Sequence, residues 1–242
     1  MTDRNQEQKT ISVFIPALNE EDNIQGSLDA VVTAAEKCFD DYEVIVINDG
    51  STDRTPEIVE ENIKKNDKIK LYSHSTPRNI GNCFKTALKH AQMEYCTLVS
   101  GDDPCPPDTL INFFSHAGEA DFVCGYWEDQ GVREKHRQII SAFYTGLLNL
   151  ILGYNLKYYN GLQLHPTAWA RTIDIESAGF GFYAETIVRA LAENKSYVEV
   201  PIKYQERPEG GATKVFKMKN VISVIKTILL LYRIKRDGSK HA

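Results

Sequence analysis

Three acidic clusters, each set directly after a short apolar run, are the residues here whose types and spacing suit chemistry. Residues 11–16 lead into Asn19, Glu20, Glu21 and Asp22; residues 43–48 lead into Asp49, Gly50, Ser51, Thr52 and Asp53; residues 95–99 lead into Ser100, Gly101, Asp102 and Asp103. Carboxylates gathered at strand ends suit a nucleotide. One accepts hydrogen bonds from the base, one from the ribose or base, and one holds a divalent cation on the diphosphate. In an open α/β sheet the ligand crevice lies beyond the carboxyl ends of the strands, so Asp49 is expected to face it with a free carboxylate.

The elements that must position these groups read as alternating strands and helices. The run from Val44 to Ile47 is short and rich in β-branched residues, as expected of a strand buried on both faces of a parallel sheet. After residues 11–16, Ile24, Leu28, Val31, Val32, Ala35 and Phe39 recur at helical spacing. Thr55 and Pro56 have the form of an N-cap and first helical residue. Strands are expected again at 69–72, 95–99, 121–124 and 196–204. Helices are expected after Arg78, around Leu110 and from Ile139 to Ile151. Another runs through Ile187, Val188 and Leu191 with Glu185 in its first turn, and a last amphipathic one spans 219–236. This order implies an α/β fold, a mostly parallel Rossmann-like sheet with helices on both faces. The division expected is a polar tail at 1–10, one domain at 11–217, and a C-terminal helix and tail at 218–242.

Composition narrows the classes. A chain of 242 residues with 42% hydrophobic and 25% charged residues buries a full core. A formal charge of −5 argues against nucleic-acid binding, which normally needs a basic excess. Cys38, Cys83, Cys96, Cys105 and Cys124 are odd in number and scattered, which fits a reducing compartment and neither a disulfide framework nor a zinc site. The first ten residues lack the apolar core of a signal peptide, and no apolar run approaches the ~20 residues of a membrane span. A cytoplasmic location is expected; the last helix, whose Lys219, Lys226, Arg233, Lys235 and Arg236 flank apolar residues, suits either peripheral contact at the inner membrane face or packing on the domain or in a dimer interface.

Taken together, the motifs resemble glycosyltransferase family 2, of GT-A fold, and within it the polyprenyl-phosphate sugar synthases similar to dolichyl-phosphate mannose synthase. The matching residues are Ile15 to Glu20, Asn48 to Asp53, Asn79 and Gly81, and Ser100 to Asp103 in the place of the family's DxD motif. Pro106, Pro107, Asp108 and Leu110 match the turn that follows. The likeness continues through Arg137 to Ser141, then Phe182, Glu185 and Arg189, and closes with Arg207, Gly211, Thr213 and Lys214. It spans residues 11 to about 232 of this sequence.

The resemblance implies an inverting, nucleotide-sugar-dependent transferase with a UDP- or GDP-linked donor. Pro16, Ala17, Leu18, Asn19, Glu20, Asp49, Asn79 and Gly81 fall at its nucleotide-binding positions. Asp102 and Asp103 fall at the catalytic metal-binding positions for Mg²⁺ or Mn²⁺. The first DxD carboxylate is replaced, by Ser100 if Asp102 is the second and by Gly101 if Asp103 is; the proline register favours Asp102. That change implies a weaker hold on metal than the family norm. Arg137, Arg207 and Lys214 match positions that bind an acceptor phosphate, which arrives anionic and needs little general-base help. Two alternatives stand beside the polyprenyl-phosphate acceptor. One is a saccharide or small-molecule hydroxyl with Glu185 as catalytic base; the other is a nucleotide-binding protein reduced in catalysis. A homo-oligomer is compatible with either.

Overall fold

The computed structural model describes residues 9–102, 105–128, 135–179, 181–203 and 218–238, with the backbone alone at 136, 137 and 218–223. Seven strands form one sheet: β1 (Thr10–Ala17), β2 (Asp41–Asn48), β3 (Ile69–Ser73), β4 (Tyr95–Leu98), β5 (Phe122–Glu128), β6 (Gln163–Pro166) and β7 (Tyr197–Lys203). The helices are α1 (Ile24–Cys38), α2 (Thr55–Ile63), α3 (Ile80–His90), α4 (Pro107–Ser115), α5 (Lys135–Leu152), α6 (Thr167–Ala170), α7 (Gly181–Ala192) and α8 (Met218–Gly238). The sheet order is β3-β2-β1-β4-β6-β5-β7. All neighbours are parallel except β6, which runs antiparallel to both β4 and β5.

The apolar strands earn their burial by feeding two cores. On β2, Val44 and Val46 face the layer of α1, α2 and α4, whereas Ile45 and Ile47 face the layer of α3, α5, α7 and α8. The period of two thus sends alternate side chains to opposite helical layers, and no position needs to be polar. On α1, Ile24, Leu28, Val31 and Ala35 make the single stripe that packs beneath the sheet. On α8, Leu231 is buried among α7 and α5 residues, so this helix is part of the folded body.

Several elements differ from the sequence expectation. Strand β5 continues to Glu128 because its far half pairs with β7 through Lys203. Strand β6 and the short α6 were not anticipated. Thr55 is the first residue of α2 and Arg54 its cap, while Pro56 lies in the first turn, where a missing N–H costs nothing. Glu185 stands in the second turn of α7.

Candidate active site

Because β1, β2 and β4 are adjacent and parallel, their carboxyl ends bring Asn19, Asp49 and Asp102 to one edge. The first two turns are laced together. Asn19 sits at φ 58°; its N–H donates to Ser51 Oγ at 3.0 Å and its Oδ1 accepts the Thr52 N–H at 2.8 Å. Glu20 N–H donates to Thr55 Oγ1 at 2.8 Å, Glu21 N–H donates to Asp53 Oδ2 at 3.0 Å, and the Glu21 carboxylate accepts the Arg54 N–H at 3.1 Å. Burial opposes ionisation of Asp53, but the hydrogen bonds from Thr55 and the Glu21 amide outweigh it and hold its carboxyl below the usual range. The Ala17 carbonyl accepts the Asp49 N–H at 2.8 Å, Pro16 is half-buried, and Leu18 is exposed.

Asp49 departs from the expectation of a free carboxylate. It is buried, and both oxygens accept the Arg78 N–H, at 2.9 and 3.0 Å. Oδ2 also accepts the Asn79 N–H at 2.9 Å, and Oδ1 meets His74 Nδ1 at 2.7 Å. His74 Nε2 in turn meets Thr86 Oγ1 at 2.9 Å. A buried charge must be compensated, and here the amides of the turn entering α3 do so. Asp49 therefore acts as a clamp that fixes the turn flanking the strand-end edge. Asn79, at φ 69°, passes the chain into α3. Gly81 is pressed against the segment after Ile175: its N–H donates to Ala178 O at 2.8 Å, and a Cβ there would stand 2.2 Å from Ser177 O.

Asp49, His74 and Cys83 bring ligand-type atoms within 4.8 Å of one another. Their donor set does not match Mg²⁺ or Mn²⁺, which prefer oxygen. Burial, with Asp49 adding, pushes the Cys83 thiol up to about 12, so it remains a thiol, and the imidazole is already bonded on both sides.

At the end of β4, the Ser100 hydroxyl donates to Asp102 Oδ1. Gly101 N–H donates to Pro16 O at 3.3 Å, and a Cβ on Gly101 would lie 2.9 Å from that same oxygen. A carboxylate at 101 has no room, while Ser100 and Asp102 are bonded to each other just beyond β4. Their oxygens are of the type a hard divalent cation takes. Burial raises the Tyr183 phenol above its ordinary value, and the Asp102 charge adds to this, placing that ring in the same neighbourhood. Asp103, Arg207 and Lys214 lie outside the described residues; Arg137 opens α5 and is described in backbone only.

Glu185 is 0% exposed and fully engaged. Its two oxygens accept the N–H groups of Glu176 and Ser177, each at 2.8 Å, and Arg189 Nε and Nη2 at 3.0 and 2.8 Å. A general base needs a lone pair directed at the substrate proton, and this carboxylate is wholly buried with both oxygens bonded inward, so the geometry opposes the base role. Glu185 fastens the 176–177 segment that Gly81 abuts. His74 and the 176–178 segment are site-shaping residues that the motifs did not single out. The one available signal was a histidine just beyond the end of an expected strand, as at His74.

The parallel sheet with carboxylates at three strand ends defines a GT-A glycosyltransferase fold. The sequence profile of the family described as glycosyl transferase family 2 matches residues 12–179, and the chain belongs to that family. Low-salt glycan biosynthesis hexosyltransferase Agl6 of Haloferax volcanii is 28% identical over 214 residues, covering 84% of this chain and 49% of the relative. Undecaprenyl-phosphate 4-deoxy-4-formamido-L-arabinose transferase of Edwardsiella ictaluri is 24% identical over 213 residues, covering 86% and 64%. The chain thus spans about half to two thirds of these relatives' length. Glucosyl-3-phosphoglycerate synthase from Mycobacterium tuberculosis, in complex with UDP, superposes with a TM-score of 0.68 at 17% identity over 93% of this chain and 80% of that one. The same enzyme with Mn²⁺, UDP and phosphoglyceric acid gives 0.64 at 20% identity, covering 93% and 78%. These likenesses establish the fold.

Proposed function

We propose that this chain transfers a sugar, with inversion, from a nucleoside-diphosphate donor to a polyprenyl phosphate at the cytoplasmic face of a membrane. The observation that carries the acceptor class is the engagement of Glu185. With that carboxylate bonded on both oxygens, the acidic residue nominated as base is unavailable, and an acceptor that is already ionised needs none. The family likeness to an undecaprenyl-phosphate transferase supports the same reading.

In this mechanism the laced turns of residues 16–21 and 48–55 and the turn held by Asp49 form the wall against which the nucleoside lies. Ser100 and Asp102, with Asp103, are the residues that would hold Mg²⁺ or Mn²⁺. When bound, such a cation offsets the charge that develops on the departing diphosphate. The acceptor phosphate oxygen attacks the anomeric carbon opposite the leaving oxygen; one C–O bond forms as the other breaks, and the nucleoside diphosphate departs. Arg137, Arg207 and Lys214 are proposed to hold the acceptor phosphate in line, which is a matter of positioning more than proton transfer.

The test offers a panel of UDP- and GDP-sugars with a short-chain polyprenyl phosphate in detergent, and in parallel with saccharide acceptors. Lipid-linked sugar that falls at least tenfold in Arg207→Ala and Lys214→Ala is the expected result. Transfer to a hydroxyl acceptor alone overturns the acceptor assignment. Nucleotide binding without transfer to any acceptor makes the chain a binding protein.

A further inference from the structure

Beside the end of β4 the fold gathers tyrosines that the mechanism above does not use. Tyr158 lies in the turn that leads into β6, Tyr183 stands in the first turn of α7, and Tyr144 of α5 packs against the core layer that contains Tyr183. The turn is held from several sides. Thr97 of β4 and Val123 of β5 both pair with Leu164, and continuing the two antiparallel registers back along β6 carries Gly161 between Ser100 and Tyr126. Gly125 N–H donates to Leu162 O at 2.7 Å, and a Cβ on Gly161 would stand 1.8 Å from Gly125 O and 3.3 Å from the Tyr158 ring. The fully buried Tyr159 donates its phenol to Asn149 Oδ1 at 2.8 Å, and Lys157 N–H donates to Glu199 Oε1 at 2.6 Å. The turn is thus anchored to β5, α5 and β7, with Tyr158 half-buried on it.

Tyr183 reaches the same place from α7. Its carbonyl accepts Gln163 Nε2 at 2.7 Å, so the first residue of β6 also sets where this tyrosine stands. Burial raises its phenol above the ordinary value, and Asp102 and then Tyr158 add to this; Tyr158 also adds to the burial that pushes the Tyr144 phenol up to about 12. The three phenols and Asp102 therefore share one neighbourhood. Tyr183 is only 8% exposed, yet among the described residues neither its phenol nor those of Tyr144 and Tyr158 makes a hydrogen bond. A buried phenol ordinarily finds a partner, and one left unpaired beside the carboxylate proposed to hold the metal points to a partner that arrives with the ligand. On the donor reading the diphosphate lies at Asp102 and the nucleoside toward the turns of β1 and β2. The group on the β6 side is then the one at the other end of the diphosphate, the sugar. A sugar ring offers C–H faces to aromatic rings and hydroxyls to phenols, whereas an isoprenoid chain would leave the phenols unpaired.

We propose that Tyr158 and Tyr183 form the subsite for the sugar of the nucleotide donor and select which sugar is transferred. Tyr183 bonds a ring hydroxyl through its phenol, and Tyr158 adds its ring face and its own hydroxyl. This rests on the nucleotide-sugar reading above and is independent of which acceptor is used. Calorimetry on the whole chain with Mn²⁺ compares UDP and GDP with UDP-glucose, UDP-N-acetylglucosamine and GDP-mannose, in the native protein, Tyr183→Phe and Tyr158→Phe. The affinity of the best-bound sugar nucleotide, taken relative to its own nucleoside diphosphate, is expected to fall at least fivefold in each variant. The nucleoside diphosphate itself should bind as before. Melting temperatures that match the native protein separate a lost contact from a lost fold, and Tyr158→Ala should deepen the loss. A ratio unchanged in either phenylalanine variant overturns the proposal. So does an equal loss for the nucleoside diphosphate, which would make the rings a general wall of the cleft. A rise in KM for a saccharide acceptor with the ratio intact would place the tyrosines on the acceptor side and overturn it too. Failure of the underlying reading looks different: neither UDP nor GDP then binds the native protein, and the sugar subsite falls with it.

Discussion

Asp49 at the end of β2 and Glu185 in α7 perform the same mechanical task in different surroundings. Each is a buried carboxylate that grips two consecutive backbone amides, those of Arg78 and Asn79 in one case and of Glu176 and Ser177 in the other. The gripped segments meet at Gly81, so the two clamps hold opposite sides of one seam. They differ in countercharge. Glu185 is neutralised by Arg189, which also reaches Glu176 and through it Arg233 of α8. Asp49 is met instead by amide dipoles, the His74 ring and the neutral Cys83 thiol. A carboxylate with a fixed guanidinium is tied into structure, whereas one balanced by amides at the open edge of the sheet retains electrostatic influence over what lies there.

The comparison is broken or sharpened first by Glu185→Ala. Removing it leaves the Arg189 charge and two buried amides without their acceptor, so a loss of about 3–5 kcal/mol in chemical denaturation is expected. A loss under about 1 kcal/mol would mean that the clamp does not hold the seam. Next comes Asp49→Ala, expected to cost roughly 2–3 kcal/mol of stability and to weaken nucleoside-diphosphate binding at least tenfold by calorimetry. Stability lost with affinity intact would reduce Asp49 to a purely structural group. Gly81→Ala places a methyl group against Ser177 O and should cost about 1–2 kcal/mol by overpacking. Its heat-denaturation curve should resemble that of Glu185→Ala in shape if the seam opens as one unit. Ser100→Ala removes a single hydrogen bond to Asp102 and should cost about 1 kcal/mol, with a measurable drop in Mn²⁺ affinity. The mildest effect is that of acid. The Arg233 hydrogen bond beside Glu176 lowers its carboxyl below the ordinary value, so its link to α8 contributes stability above that value and loses it as pH falls through the depressed one. Arg233→Gln should flatten that acid limb in a pH series of melting temperatures.

Much of the fold was legible because the sheet's centre obeys simple periodicities. Strands β1 and β2 are mainly apolar, with the runs Val13–Ile15 and Val44–Ile47 at their centres, α1 is a clean stripe, and the carboxylates that follow the strands read directly as an edge. Strand β6 was not legible. Its four residues, Gln163 to Pro166, include Gln, His and Pro, and their burial is made tolerable by partners distant in sequence: Gln163 Nε2 donates to Tyr183 O at 2.7 Å and His165 stacks on Phe122. The strand-end residues were legible as a set that gathers at one edge, but not in their individual contacts. Two of the partners of Asp49, and two of Glu185, are main-chain amides, and an amide leaves no mark in a sequence. Arg207 and Lys214, expected from the resemblance to hold an acceptor phosphate, lie outside the described residues, so the sequence remains the source for them.

The reversed strand β6 also carries a consequence for how the chain is made. Strands β3, β2, β1 and β4 can pair as soon as residue 98 is synthesised, but β5 and β7 have no place in the sheet until Gln163 to Pro166 fills the gap beside β4. At ordinary translation rates that interval lasts roughly several seconds to ten seconds, during which β4 is an open edge on a half-built sheet. Its length of four residues, Tyr95 to Leu98, limits what that edge can template, because a short row of unpaired amides is a poor seat for a foreign strand. The brevity of β4 thus protects the nascent protein from joining its neighbours on the polysome.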